Sequence, residues 1–203
     1  RSEVLTAITG LSPEQAVRFV PDSTQPLVDQ VADGLLDVAL VHGPVKARGL
    51  RTRTLETHPV AVVVARGRGF DDRTSVRLEE LADLPFASVY FGSAPLIYER
   101  LNDLMNRMGV RKRLTLGGSD FGGLAHLVAS GQAFALAPLS GGTSTKIFVD
   151  EPVVRLALRD VTLTLSTMAV WSEQRRETDE TVRALVDALH GIEPIEAAQA
   201  TPL

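Results

Sequence analysis

The chemistry open to this chain of 203 residues is narrowed first by its histidines, glycines and hydroxyls. Its four histidines, His42, His58, His126 and His190, share none of the short spacings that bring imidazoles to one metal ion. Cysteine is absent, which removes thiolate metal sites, thiol nucleophiles and disulfides, and leaves the redox compartment open. No metal and no cofactor is expected. The run Gly117-Gly118-Ser119-Asp120-Phe121 has the first glycine of a nucleophile elbow and lacks the second. "LSGGTSTK" at 139–146 lacks the Gly-Lys-Ser/Thr ending of a phosphate loop, and "GRGFDD" at 67–72 lacks the third glycine of a dinucleotide fingerprint. An enzyme is therefore not expected. Binding chemistry remains: "QVADGLLDVALVHGP" at 30–44 runs out of a polar helix through an apolar strand and stops on His42-Gly43-Pro44. An imidazole at such a strand end can donate to an anion and titrates near neutral pH.

The charge pattern points away from nucleic acid and membrane. The net charge is −4, and the basic spots at Arg48, Arg51 and Arg53 and at "RKR" 111–113 form no extended stripe. No apolar run reaches the ~20 residues of a membrane span, and "RSEVLTAITG" lacks the cationic start and apolar core of a signal peptide. A soluble protein with a core of ordinary size is expected.

The elements that would position these residues follow from periodicity and punctuation. "SEVLTAI" is a short helix ending near Gly10, and "QAVRFVP" at 15–21 alternates as a strand does. "DSTQPLVDQVADG" at 22–34 is a helix with Asp22, Ser23 and Thr24 as capping candidates, Pro26 in its first turn and Gly34 at its end. "LLDVALV" is a buried strand; "GLRTRTLETHPVAVVVAR" is an alternating arm, a turn near His58-Pro59 and a strand from Val60 to Val64. A charged, Gly-rich connection at 66–75 leads to a second unit. This comprises the helix "RLEELADL", the strand "PFASVYF", the helix "APLIYERLNDLMNRMG", the strand "RLTLG", the helix "DFGGLAHLVASG" and the strand "AFALAP". Ser119 and Asp120 are the N-cap candidates of "DFGGLAHLVASG". "LSGGTSTK" reads as loop, 148–158 and 162–171 as extended, "RETDETVRALVDALHG" as one amphipathic helix, and the tail as irregular. The alternation predicts an α/β fold with parallel strands buried on both faces. Two crossings, near Arg66 and Leu163, would divide it into lobe one (1–66 plus 165–203) and lobe two (67–164). A small molecule is expected where strand ends meet the cleft of such a fold.

The order and spacing of "DGLLDVALVHGP", "LRTRTLETHPVAVVVAR", "SVRLEELADLPFASV" and "HLVASGQAFALAPLS" resemble the effector-binding domain of LysR-type transcriptional regulators, from Gln15 to Trp171. The resemblance implies a type II periplasmic-binding-protein-like fold: two Rossmann-like lobes joined by a two-crossing hinge, with a small-molecule effector in the cleft. It also implies a homodimer or tetramer in the bacterial cytoplasm, and DNA contact only through an N-terminal helix-turn-helix domain that this chain does not contain. Two departures stand out. The family's first strand, expected ahead of "SEVLTAI", is missing, and the usual Gly-x-Gly after the late helix is Gly131-Gln132-Ala133, where Ala133 cannot take positive φ cheaply.

Carried over by position, the resemblance places Ser23 and Thr24 at a helix N-terminus facing the effector, with His42, Gly43 and Pro44 at the strand end. From the second lobe it adds Gly92 and Ser93 ahead of Pro95, then Ser119, Asp120 and Phe121, then Pro138 and Ser140. Each has a plain structural reading beside the functional one. Ser23 and Thr24 read as caps or as carboxylate donors, His42 as an effector contact or a loop histidine bonded to backbone, and Phe121 as a ring-stacking group or a staple into the core. Asp120 is a cap that would repel a carboxylate. The expected function is effector sensing that modulates DNA binding and transcription; a transporter's solute-binding protein, which shares the fold, is the alternative, ahead of an enzyme on that fold.

Overall fold

The computed structural model describes residues 6, 10, 17–89, 95–117, 120–139, 143–193 and 195–196. In chain order the elements are α1 (Thr24–Ala32), β1 (Val38–Gly43), β2 (Arg51–Ala65), β3 (Ser75–Val76), a 3-10 turn at Leu78–Leu81 and β4 (Phe86–Val89). There follow α2 (Pro95–Arg107), β5 (Arg113–Leu116), α3 (Phe121–Ala129), β6 (Ala135–Pro138) and a 3-10 turn at Thr143–Phe148. The chain closes with β7 (Val153–Leu158), β8 (Thr164–Trp171), α4 (Glu173–Thr178), α5 (Glu180–His190) and β9 (Ile195–Glu196). Two compact units result, one from the chain up to Thr57 with Ser166–Ala197, the other from His58–Leu165.

In the first unit β1 pairs antiparallel with β8, from Val38↔Trp171 to Gly43↔Ser166, and β9 lies parallel to β2 at Glu56 and Thr57. Both faces of this sheet are buried, so its strands alternate between two apolar clusters. Val38, Leu40, Ala169 and Trp171 join Leu55 beneath Val182, Val186 and Leu189 of α5. The intervening Ala39, Val41 and Val170 meet Leu27, Val28 and Val31 of α1. Arg53 donates to the carbonyls of Leu189 and Ile192 and so closes the end of α5. The single helix expected at 176–191 is two, because Asp179 leaves helical geometry at φ −120 and accepts the N–H groups of Thr181 and Val182.

The second unit repeats the two-faced plan around the apolar half of β2. This segment pairs antiparallel with β6 and β7; β3 is parallel to β7, and β4 is parallel to β5. Val62 and Val64 point to a cluster holding Leu78, Leu81, Phe86, Leu104, Met105 and Phe134, on the side of α2. Val63, Ala135 and Ala137 point to Leu124, Ala125 and Val128 of α3. Phe86 and Phe134 pack with ring centroids 5.6 Å apart. At the surface Glu80 accepts from Arg73 at 2.8 Å and from the Arg77 N–H at 2.8 Å, with Arg159 at 3.5 Å. These donors, the Arg73 hydrogen bond foremost, lower the Glu80 carboxyl to about 2.

Several expectations are corrected. Residues 17–20 of the expected strand "QAVRFVP" belong to no strand, and Val17 and Phe19 are 40% and 57% exposed. β1 starts at Val38 instead of Leu35, which is 73% exposed. No turn interrupts His58-Pro59: β2 runs through it as one strand of 15 residues. Pro59 fits because the ladder uses its carbonyl, which accepts from the Leu139 N–H at 2.7 Å, and asks for no N–H there. The expected parallel sheet is mixed, since burial on both faces makes a strand apolar whatever the direction of its neighbour. Residues 143–148, expected as loop, form a 3-10 turn. Gly131, at φ +76, takes the left-handed position of the turn after α3, so Ala133 does not need positive φ. The expected helix "SEVLTAI" and most of the tail lie outside the described residues.

Two outcomes check this account. Phe134→Ala, at a fully buried site, should cost about 3–5 kcal/mol in urea unfolding followed by far-UV circular dichroism. Glu80 has a depressed folded pKa, so its contribution is present above its ordinary pKa of 4.5 and disappears as the pH falls towards about 2. The stability gap between the native chain and Glu80→Gln should therefore close across that window.

Candidate functional site

In the first unit the expected residues gather at one end. The helix α1 returns into β1 through a short connection, which sets its N-terminus beside the C-terminal end of the strand; the Gln25 Nε2 donates to the Lys46 carbonyl at 3.4 Å and ties the two. Ser23, Thr24, Gly43 and Pro44 share this end. Ser23 is the N-cap residue, yet its hydroxyl makes no cap bond to the helix. Instead the Ser23 N–H and hydroxyl donate to Asp22 Oδ1 at 2.7 and 3.2 Å, while Gln30 Nε2 donates to Asp22 Oδ2 at 3.4 Å. A carboxylate of the chain itself thus answers the positive end of α1.

Strand parity separates His42 from that helix. His42 falls on the side of Val38 and Leu40, which α5 covers, and is exposed; Gly43 falls on the side of Ala39 and Val41, which α1 covers, and is buried. A Cβ at Gly43 would come within 2.3 Å of Met168 Sδ, so the close approach depends on glycine.

The second unit builds a comparable end from α3 and β6. Asp120 is the N-cap of α3, and its Oδ1 accepts the Gly123 N–H at 2.8 Å. A Cβ at Gly123 would lie 2.3 Å from Asp120 Oδ2, so glycine there makes room for the cap. Phe121 follows, 40% exposed, which overturns its reading as a staple into the core. Pro138 ends β6 opposite Val60, buried and on the side of Leu136. Leu139, the next residue, lies just past the strand, donates its N–H to the Pro59 carbonyl and is 36% exposed. Gly92, Ser93, Ser119 and Ser140 lie outside the described residues.

Two residues at these ends, Leu139 and Asp22, were not among the binding candidates of the sequence reading; Leu139 only follows Pro138, and Asp22 only precedes Ser23. The other histidines are elsewhere: His190 packs edge-on against Trp171 at 5.5 Å with its Nδ1 2.8 Å from the Val186 carbonyl, and His126 is exposed on α3, against a core role. No group of three or more His, Asp or Glu among the described residues is placed to hold a metal ion. An open groove of about 220 Å³ lies between α2 (Arg100, Asp103, Leu104, Arg107) and residues 161–163. It is smaller than ordinary small-molecule sites, ~300 Å³ and up.

With this geometry in hand, comparison with known proteins is decisive. The LysR substrate binding domain family matches residues 2–192, and the chain belongs to it. Its fold is the α/β, type II periplasmic-binding-protein-like fold. Among solved structures it resembles the C-terminal domain of a probable LysR family transcriptional regulator from Rhodococcus sp. RHA1. That match has 22% identity, 92% of this chain and 90% of that chain covered, and a TM-score of 0.73. The effector-binding domain of QuiR in complex with shikimate matches at 14% identity, over 93% and 87% of the two chains, with a TM-score of 0.73. Full-length CbnR complexed with its target DNA matches at 13% identity, over 92% of this chain and 64% of that one, with a TM-score of 0.72. Comparison with curated proteins finds no match. No helix among the described residues is long and apolar enough to cross a membrane.

The α3 cap yields a stability prediction. Asp120→Ala should cost about 1 kcal/mol in urea unfolding while Asp120→Asn, which still caps, should cost only a few tenths. Gly123→Ala should cost at least as much as Asp120→Ala, because the added methyl displaces the carboxylate.

Proposed function

We propose that this chain is the effector-sensing part of a LysR-type transcriptional regulator, binding a small molecule and, through that, modulating DNA binding by an attached domain. The observation that carries this is the repeated construction of the two units: in each, a helix N-terminus stands beside the carboxyl end of a strand that returns from it. Taken unit by unit, the candidate contacts are Thr24, Gly43 and Pro44 in the first and Asp120, Phe121 and Pro138 in the second. Backbone polar groups and exposed apolar side chains at strand ends are the usual surroundings of a ligand in α/β folds. The effector acts by binding one arrangement of the chain more tightly than another, which is the whole of its leverage on DNA affinity. Membership of the family supports the reading, as do the shikimate complex of QuiR and the DNA complex of CbnR. We take the working assembly to be a homodimer or tetramer in the bacterial cytoplasm, with no catalytic step.

A thermal-shift screen against a library of small metabolites tests this. A true effector at 100 times its Kd should stabilise the chain by about 2.7 kcal/mol. Thr24→Val, for the first unit, or Phe121→Ala, for the second, should weaken binding about tenfold or more without loss of fold. Hits whose affinity ignores both substitutions would overturn the reading.

A further inference from the structure

We infer that the groove between α2 and residues 161–163 is a docking site for an acidic segment of a partner protein, one that sets an apolar side chain between two carboxylates. The groove lies wholly within the second unit and is separate from the candidate effector contacts. Arg100, Asp103, Leu104 and Arg107 stand at i, i+3, i+4 and i+7 of α2 and so share one face. Leu104 is the floor, held in the apolar cluster of Phe86 and Phe134, and Val161 and Leu163 pack against the same cluster from the facing wall. That wall is fixed near both ends: Asp160 accepts the Leu78 N–H at 3.0 Å, and the Leu163 carbonyl accepts the Val60 N–H at 2.8 Å. The groove is therefore preformed. At about 220 Å³ it suits one apolar side chain better than a whole metabolite.

Charge around this slot selects the partner. Arg113 on the neighbouring β5 already donates to Asn102 at 3.3 Å and to Asn106 at 3.0 Å. Arg100 and Arg107 are exposed, and among the described residues neither has an acceptor; Asp103, between them on the same face, pairs with neither. Guanidinium groups match carboxylates in shape as well as charge. Seven helical positions set the two arginines about 10.5 Å apart along α2. In an extended peptide, side chains at i and i+4 point the same way about 13 Å apart. Two long, flexible arginines span that difference, and position i+2 of the peptide then faces the apolar floor. The matching pattern is acid-x-apolar-x-acid. Asp103, with Glu99 one turn before it, governs the centre: a third acid there meets like charge, whereas a peptide N–H finds an acceptor.

The peptide acetyl-Glu-Thr-Leu-Thr-Glu-amide tests this when titrated at low salt into the 203-residue chain, with the amide NMR signals of Leu104, Thr162 and Leu163 as the readout. It should bind about five- to tenfold more tightly than its glutamine-for-glutamate analogue, the combined effect of two exposed ion pairs. Arg100→Gln/Arg107→Gln should remove that preference. Lys146→Gln, at an exposed cation on the 3-10 turn of the same unit, should leave it intact. Aspartate in place of the central leucine should weaken binding about fivefold or more, and Asp103→Asn should recover part of that loss. The inference is overturned by equal binding of the glutamine analogue, or by a preference that survives the double substitution. It is overturned equally by a preference that Lys146→Gln also removes, which marks general attraction, or by no movement of the three signals. None of these results bears on the effector screen, so the two readings fail separately.

Discussion

Burial of both faces of each sheet is the constraint on which the rest of this structure depends. When helices cover both sides, the parity of a residue in its strand decides which helix it meets, and a register slip of one residue would exchange every contact. In the first unit β1 and β8 deal their side chains alternately to α5 and α1. In the second, β2 and β6 deal theirs to the α2 and α3 sides. Alanine and valine dominate the inner positions because they keep the helices close to the strands. The same parity decides the direction in which the strand ends present His42, Gly43 and Pro138.

The polar features sit where the helices begin, since a helix start leaves N–H groups without partners. Three aspartates, Asp22, Asp120 and Asp179, are spent there. Asp179 is purely architectural: it starts α5 and pairs with Arg175 at 3.1 Å, which also holds Asp37 at 2.7 Å. The cap bonds and Arg175 hold its carboxyl below the ordinary aspartate range. Asp22 and Asp120 make similar local bonds but do so at strand ends with exposed neighbours. Cysteine is absent, so thiol chemistry has no place in this chain.

Much of the fold was legible beforehand. The Ser23 and Gly34 punctuation of α1, the apolar runs of β1 and β2, the helix at Phe121–Ala129 and the family resemblance all rest on local pattern, which composition and spacing carry directly. Partner direction was not legible, because an apolar strand looks the same beside a parallel or an antiparallel neighbour. Pro59 misled for a related reason: proline marks a turn unless the ladder happens to ask only for its carbonyl. The break at Asp179 was hidden by helix periodicity that continues on both sides.

For the candidate site the division is sharper. Residue types and order alone determined that the chain has no metal-spaced histidines, no thiol and no nucleophile elbow, while Ser23, His42, Asp120 and Pro138 came forward as binding candidates through the family resemblance. Only the tertiary structure decided that His42 turns to the α5 side while Gly43 meets α1, that the Ser23 hydroxyl is held by Asp22, and that Phe121 stands exposed at the start of α3. The reason is physical: a sequence states which groups exist and their local spacing, but hydrogen-bond partners and facing depend on strand register and packing between segments far apart in the chain.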